Sequence, residues 1–312
     1  MKKWILGACA LTMVFMGGLS SAFERGIYIT QPTLETSKKL NYLMERSKKA
    51  GITTFVIDSE YPSKSYAGQI AVVKRNGFKY VARVVVFPHG GEKSQVQSEA
   101  YWEKKYRLVD MAINAGADEI QLDYIRYNTH RSPSHQNSED IAKVVKWFKQ
   151  RVAKQNVKMQ VAVFGETSFK ESPYIGQDVQ LLSDHVDVIS PMVYPSHYTP
   201  FVWHSAHPYE TISESLSALK DQFDGPVPFR LIPYIETSNY HYPNLGGQAR
   251  VAYIRKQIKA VEDEGAAGWY AWSPNNYYDY LFRALESGAT ADKAVEKTVQ
   301  AAAETDDETE ED

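Results

Sequence analysis

Cysteine is almost missing from this chain: its 312 residues contain one, Cys9, inside an N-terminal apolar segment. The rest of the sequence therefore offers no thiol nucleophile, no iron–sulfur ligand and no cysteine-bound zinc. A thiol-free remainder also suits an oxidising compartment. Other signatures are absent too. No HExxH occurs, so the metalloprotease helix is excluded, and no G-x-S-x-G elbow offers a serine nucleophile. "YITQPTLETS", after the first apolar run, has no glycine-rich turn of the kind that cradles a dinucleotide. Residues 23–287 contain no linker, low-complexity stretch or block of like charge, which points to one domain.

Charge of one sign is lacking as well. The formal net charge is −3, but seven acids crowd the last ten residues, "AETDDETEED", and two lysines sit in the first 22. Setting both ends aside leaves a chain near +2, too balanced for nucleic acid or an anionic membrane surface. The acidic tail, 288–312, repels itself, has no apolar face and is predicted to be disordered.

The N-terminus reads as a secretory signal over 1–22. Lys2 and Lys3 form the positive region, Trp4 to Met16 the apolar region, and Ser20-Ser21-Ala22 a small-residue cleavage site. The apolar run is short for a membrane span, so no stable membrane insertion is expected after cleavage, an uncleaved anchor being the alternative. The expected location is periplasmic or extracellular.

What is abundant is tyrosine, 21 residues against 12 phenylalanines, and a regular alternation of two patterns. Short β-branched or aromatic runs occur at "RGIYIT" (25–30), "TTFVIDS" (53–59), "YVARVVVF" (80–87), "EIQLDYIRY" (119–127), "MQVAVFGE" (159–166), "VDVISPMVYP" (186–195), "FRLIPYIE" (229–236) and "AAGWYAWSP" (266–274). Between them lie amphipathic stretches of helical period, such as "TSKKLNYLMERSKKAG" with Leu40, Leu43 and Met44 on one stripe. Several stop at a glycine suited to a helix C-cap: Gly51, Gly77, Gly116 and Gly265. Eight strand–helix units in about 250 residues have the count and size of an α/β fold closed as a single (β/α)8 TIM barrel.

Such barrels place chemistry at the C-terminal ends of the strands. Here those ends are polar and aromatic: Asp58 and Glu60 after strand two, Asp123, Arg126 and Tyr127 after four, and Glu166 after five. Tyr194, Ser196 and His197 follow strand six, Glu236 strand seven, and Trp272, Ser273 and Asn275 strand eight.

"DEIQLDYIRY", "VFG", "DVISPMVYPSHY", "AHPYE" and "GAAGWYAWSPNN", in that order, resemble a bacterial family of glycosyl hydrolases, formerly a domain of unknown function, with a TIM-barrel fold. The opening "RGIYIT" is similar to that family's first strand, and the similarity covers most of 24–285. The resemblance implies a glycosidase-type barrel distantly similar to α-amylase-like enzymes, acting on carbohydrate without a cofactor. The matching positions are Asp123, Arg126, Tyr194, His197, Trp272 and Asn275. Two departures stand out. Ala162 occupies a strand-five position where the family commonly has Asp, and Glu236-Thr237 end strand seven where Gln-Asp is usual.

Glycoside hydrolysis usually needs two carboxyl groups flanking the scissile bond. Asp123 is the first candidate, as nucleophile or charge stabiliser, with Arg126 and Tyr127 expected to hold its charge and line the cleft. Glu166 and Glu236 compete for the second role, as proton donor or as nucleophile. Asp58 is a candidate for sugar hydroxyls. Arg83, among apolar neighbours in "VARVVV", is expected in a barrel-interior salt bridge with Asp58 or Asp123. Tyr194 and Trp272 are candidates to stack on sugar rings. His197, His204 and His207 match no zinc spacing, so no metal is expected. The alternative to hydrolysis is a non-catalytic carbohydrate-binding barrel or envelope scaffold. A weaker one, a metal-dependent deacetylase, requires Asp58 or Asp123 to converge with histidines.

Overall fold

The computed structural model describes residues 22–238 and 245–286. The expected leader, up to residue 21, and the expected acidic tail lie outside the described residues.

Nine strand segments form one parallel sheet: β1 Glu24–Ile29, β2 Thr54–Asp58, β3 Lys79–Val85, β4 Glu119–Asp123, β5 Lys158–Phe164, β6 Val188–Met192, β7 Arg230–Leu231, β8 Tyr234–Glu236 and β9 Gly268–Trp272. Pairing runs β5-β4-β3-β2-β1-β9-β8-β6, and β5 also pairs with β6, so the sheet closes. β7 and β8 are two pieces of the seventh stave, both paired with β6. They part around Pro233, which has no N–H to donate to a ladder. The fold is therefore a closed (β/α)8 barrel, with every expected strand in its expected place.

The fourth strand is shorter than its sequence run. It ends at Asp123 because Tyr124 turns the chain with φ of 49°, a left-handed conformation that no strand residue holds. The glycines that stop helices, Gly51, Gly77, Gly116 and Gly265, all have positive φ as C-caps do. In the helix Ser37–Lys49 the stripe Leu40, Leu43 and Met44 is buried, as its period predicts.

Alternation along the strands separates two cores. Ile120 and Leu122, like Ile27 and Ile29, face the helices and join the larger apolar cluster. Val56, Val81, Val188 and Ile232 face inward with Tyr28, Tyr234 and Tyr270. At the N-terminal end the barrel is plugged by charge. Lys79 bridges Glu24 (2.8 Å) and Glu119 (2.7 Å), and Arg230 bridges the same two acids (3.0 and 2.6 Å). Two cations on two buried carboxylates satisfy one another, which is what makes such burial tolerable. The opposite end is left open for a site.

Candidate functional site

A cleft of about 360 Å³ opens at the C-terminal ends of the strands. Its floor follows from strand parity. Glu119, Gln121 and Asp123 share the inward face of β4, so the same alternation that buries Ile120 and Leu122 outward delivers Asp123 to the cleft. Asp58 ends β2 with the same inward parity, and Arg83 lies beside it on β3.

Arg83 joins the two acids. Its Nε donates to Asp123 Oδ2 (2.7 Å) and its Nη1 to Asp58 Oδ1 (2.5 Å). Burial works against the guanidinium's charge, but the Asp123 and Asp58 carboxylates outweigh it and hold its pKa well above the ordinary value. Tyr28 donates its hydroxyl to Asp58 Oδ2 (2.5 Å). Burial, and then the Asp58 charge, push that phenol upward. The other oxygen of Asp123 accepts the Tyr124 N–H (2.6 Å). Two carboxylates thus share one cation, leaving a negative floor.

The walls are aromatic. Tyr194 and Trp272 stack with ring centroids 5.2 Å apart and planes 20° from parallel. His197 sits against Tyr194 at 5.3 Å. Tyr234, held by Gln121 Oε1 at 2.6 Å, completes this side. β5, the neighbour of β6, runs into a tight turn, Gly165–Ser168, that projects Glu166 into the cleft. Glu166 is exposed, and Ser172 donates its hydroxyl to one carboxylate oxygen (2.5 Å).

Of the residues expected from sequence, the cleft brings together Asp123, Glu166, Arg83, Tyr194, His197 and Trp272. Others lie elsewhere. Asp58 is buried beneath the floor, reaching the cleft through Arg83. Glu236 is fully buried and absent from the lining, where it accepts from Tyr253 Oη (2.6 Å), Ser196 N (2.8 Å) and Ser196 Oγ (2.7 Å). Burial raises its pKa to about 7, against the lowering effect of those donors. Its link to the cleft is His197, whose Nδ1 is 3.7 Å away.

Two expectations for Asp123 are corrected. Arg126 forms no ion pair with it among the described residues; its guanidinium stands instead beside the rings of Tyr124 and Phe164. Tyr127 is fully buried and donates its hydroxyl to Asp140 (2.6 Å) on the helix His135–Val152, so it does not line the cleft. Asn275 is exposed in a separate groove with Lys38, Tyr42 and Tyr277. Sequence reasoning overlooked Tyr28, Tyr124, Phe164, Met192, Tyr198 and Tyr234 as lining residues. Inward parity at the ends of strands one and seven was the available signal for Tyr28 and Tyr234.

No histidine meets Asp58 or Asp123 in a set spaced to hold a metal among the described residues. The one such set is His135, Glu171 and Asp178, none of which lines the cleft.

Residues 91–278 match the family described as "Putative glycosyl hydrolase domain". The chain belongs to this family. The matched region spans more than half of the sequence and contains every cleft residue from β4 onward. This glycosyl hydrolase is also similar in fold to solved structures. The spore cortex-lytic enzyme SleL of Bacillus megaterium QM B1551 aligns at TM-score 0.60 and 11% identity, over 86% of this chain and 74% of that one. A class V chitinase of Pseudomonas fluorescens Pf-5 aligns at 0.61 and 14%, over 86% and 99%. The endo-β-1,4-mannanase of Thermotoga petrophila aligns at 0.58 and 15%, over 81% and 68%. At these identities the likeness is one of fold. No curated protein sequence matches the hydrolase.

Proposed function

We propose that the cleft hydrolyses O-glycosidic bonds of an oligosaccharide or polysaccharide, with Asp123 and Glu166 as its working carboxylates. One observation carries this reading. Asp123 and Glu166 are the two acids that line one aromatic cleft, at the C-terminal ends of the adjacent strands β4 and β5.

Their surroundings suit different tasks. Asp123 is nearly enclosed and faces a guanidinium, which favours presenting negative charge to the developing oxocarbenium or attacking its anomeric carbon. Glu166 is exposed at the cleft wall, where it can reach a leaving-group oxygen and then a water. Tyr194 and Trp272 offer a stacked platform for a sugar face. Glu236 takes a positioning role, since two hydrogen bonds from Ser196 brace the Ser196–His197 turn from behind while Tyr253 holds the carboxylate in place.

A polysaccharide substrate is supported by the chitinase and mannanase among the folds of the same kind. The signal-like pattern of residues 1–22 supports export, and with it a reaction in the periplasm or outside the cell, on an envelope or extracellular glycan. A second reading, binding without turnover, is favoured by Ala162, a buried alanine inside the barrel where the resembling family commonly has an acid.

The test is a screen of the purified chain against bacterial and plant polysaccharides, reading new reducing ends. Hydrolysis of one polymer, abolished by Asp123→Asn and by Glu166→Gln with the fold intact, is the expected result. Binding of a polymer with no turnover would select the second reading. Full activity in either variant would remove that residue from the mechanism.

A further inference from the structure

Arg126 is a cation beside the cleft, next to two of its lining rings rather than in the lining itself, with little to hold. Its Nη1 donates to the Tyr127 carbonyl (2.9 Å), and no other hydrogen bond or ion pair of its side chain occurs among the described residues. Its Nε is buried without a partner. Arg83 and Arg230, by contrast, each face two carboxylates. A half-buried guanidinium has given up part of its hydration, and its unmet donors make that costly.

Its placement is specific. Cζ lies 5.4 Å from the centre of the Tyr124 ring and 5.1 Å from that of Phe164, both of which line the cleft. On another side Nη1 presses against Gly90, where a Cβ would stand 2.6 Å from it, so glycine makes room for the guanidinium. Burial lowers the Arg126 pKa, while Tyr124 and Asp123 raise it, which puts the group within electrostatic reach of the floor.

We propose that Arg126 recognises an acidic substituent of the glycan, a carboxylate or sulfate on the sugar lying over Tyr124 and Phe164, next to the sugar at Asp123. This rests on the glycoside hydrolase reading of the cleft. The planar fork of a guanidinium matches carboxylate and sulfate oxygens, and two aromatic rings stand beside it. The floor adds selectivity by repulsion. Asp58 and Asp123 share one cation, and Glu166 stands on the wall, so an acidic unit is disfavoured over the floor and favoured beside Arg126. An acidic polymer would thereby bind in the register that sets a neutral unit at Asp123.

The experiment measures binding without turnover. The full chain carrying Asp123→Asn is titrated calorimetrically with a panel of acidic oligosaccharides. The panel comprises galacturonate, mannuronate, glucuronate–N-acetylglucosamine and muramic acid-containing glycans, their carboxyl-reduced counterparts, and a sulfated oligosaccharide. At least one acidic form should bind about tenfold or more tightly than its neutral counterpart. Adding Arg126→Gln should erase that preference, and Arg126→Lys should keep part of it. Tighter binding of the carboxylated or of the sulfated form identifies the source of the anion. Equal affinity of acidic and neutral forms, no binding across the panel, or a preference that survives Arg126→Gln would overturn the proposal. Because affinity is the readout, failure here leaves hydrolysis by the wild-type chain untouched, and failure of hydrolysis leaves the preference measurable.

Discussion

Arg83 Nε sits 2.7 Å from Asp123 Oδ2, and the same guanidinium holds Asp58 at 2.5 Å. Two buried carboxylates on β2 and β4 therefore depend on one cation from the strand between them. Arg83→Met leaves both buried carboxylates without a counter-charge. Removing one partner of a buried ion pair costs about 3–5 kcal/mol. We expect a loss of that order in urea unfolding, with catalysis abolished. Unchanged stability would show that the floor is solvated or rearranges.

Glu236 gives the fold a pH dependence. Its carboxyl, driven by burial, titrates at about 7, above the unfolded value of 4.5. The folded state then holds a proton that the unfolded state has lost, so the stabilisation is complete below about pH 4.5 and declines as pH rises through 7. At 1.36 kcal/mol per pKa unit the full effect is about 3 kcal/mol. Glu236→Gln should flatten this slope between pH 5 and 8, as read by denaturant midpoints across that range. Parallel slopes in the two proteins would refute the assignment.

Glu166→Gln keeps the shape of the exposed wall and removes its acid. A general acid–base group typically contributes about 10²–10⁴-fold in rate. We expect kcat to fall within that range while the melting temperature holds. Substrates with very acidic leaving groups should be spared, because they need no protonation. Equal losses on good and poor leaving groups would argue against Glu166 as the donor.

Trp272 stacks on Tyr194 and presents an aromatic face to the cleft. Trp272→Ala should raise KM roughly tenfold, in keeping with aromatic contacts of about 0.5–1.5 kcal/mol beyond area burial. Trp272→Phe should recover most of that loss. A KM indifferent to both variants would move the substrate away from this wall.

Much of this architecture was legible in the residues themselves. Each strand is a short β-branched or aromatic run, and the helices between them carry apolar stripes closed by glycine, so local periodicity sufficed. Strand parity went further, because Ile120 and Leu122 outward require Asp123 inward. Parity does not say which neighbour a polar group will choose. Arg126 is three residues from Asp123 and has the charge to partner it, yet after the turn at Tyr124 it stands beside two rings. Arg83, forty residues away in sequence, takes the place instead.

By itself the sequence determined the closed barrel, the end at which chemistry gathers and Asp123 as a floor carboxylate. These follow from patterns of period 2 and 3.6 that each segment carries without reference to the others. Tertiary structure alone decided the fate of the two glutamates. Glu166 follows a barrel strand and Glu236 ends one, but a tight turn exposes Glu166 to the cleft, while Ser196 and the helix Gly247–Asp263, through Tyr253 and Gln257, enclose Glu236. Burial and hydrogen-bond partners come from segments distant in the chain, and so does the chemical role of each acid.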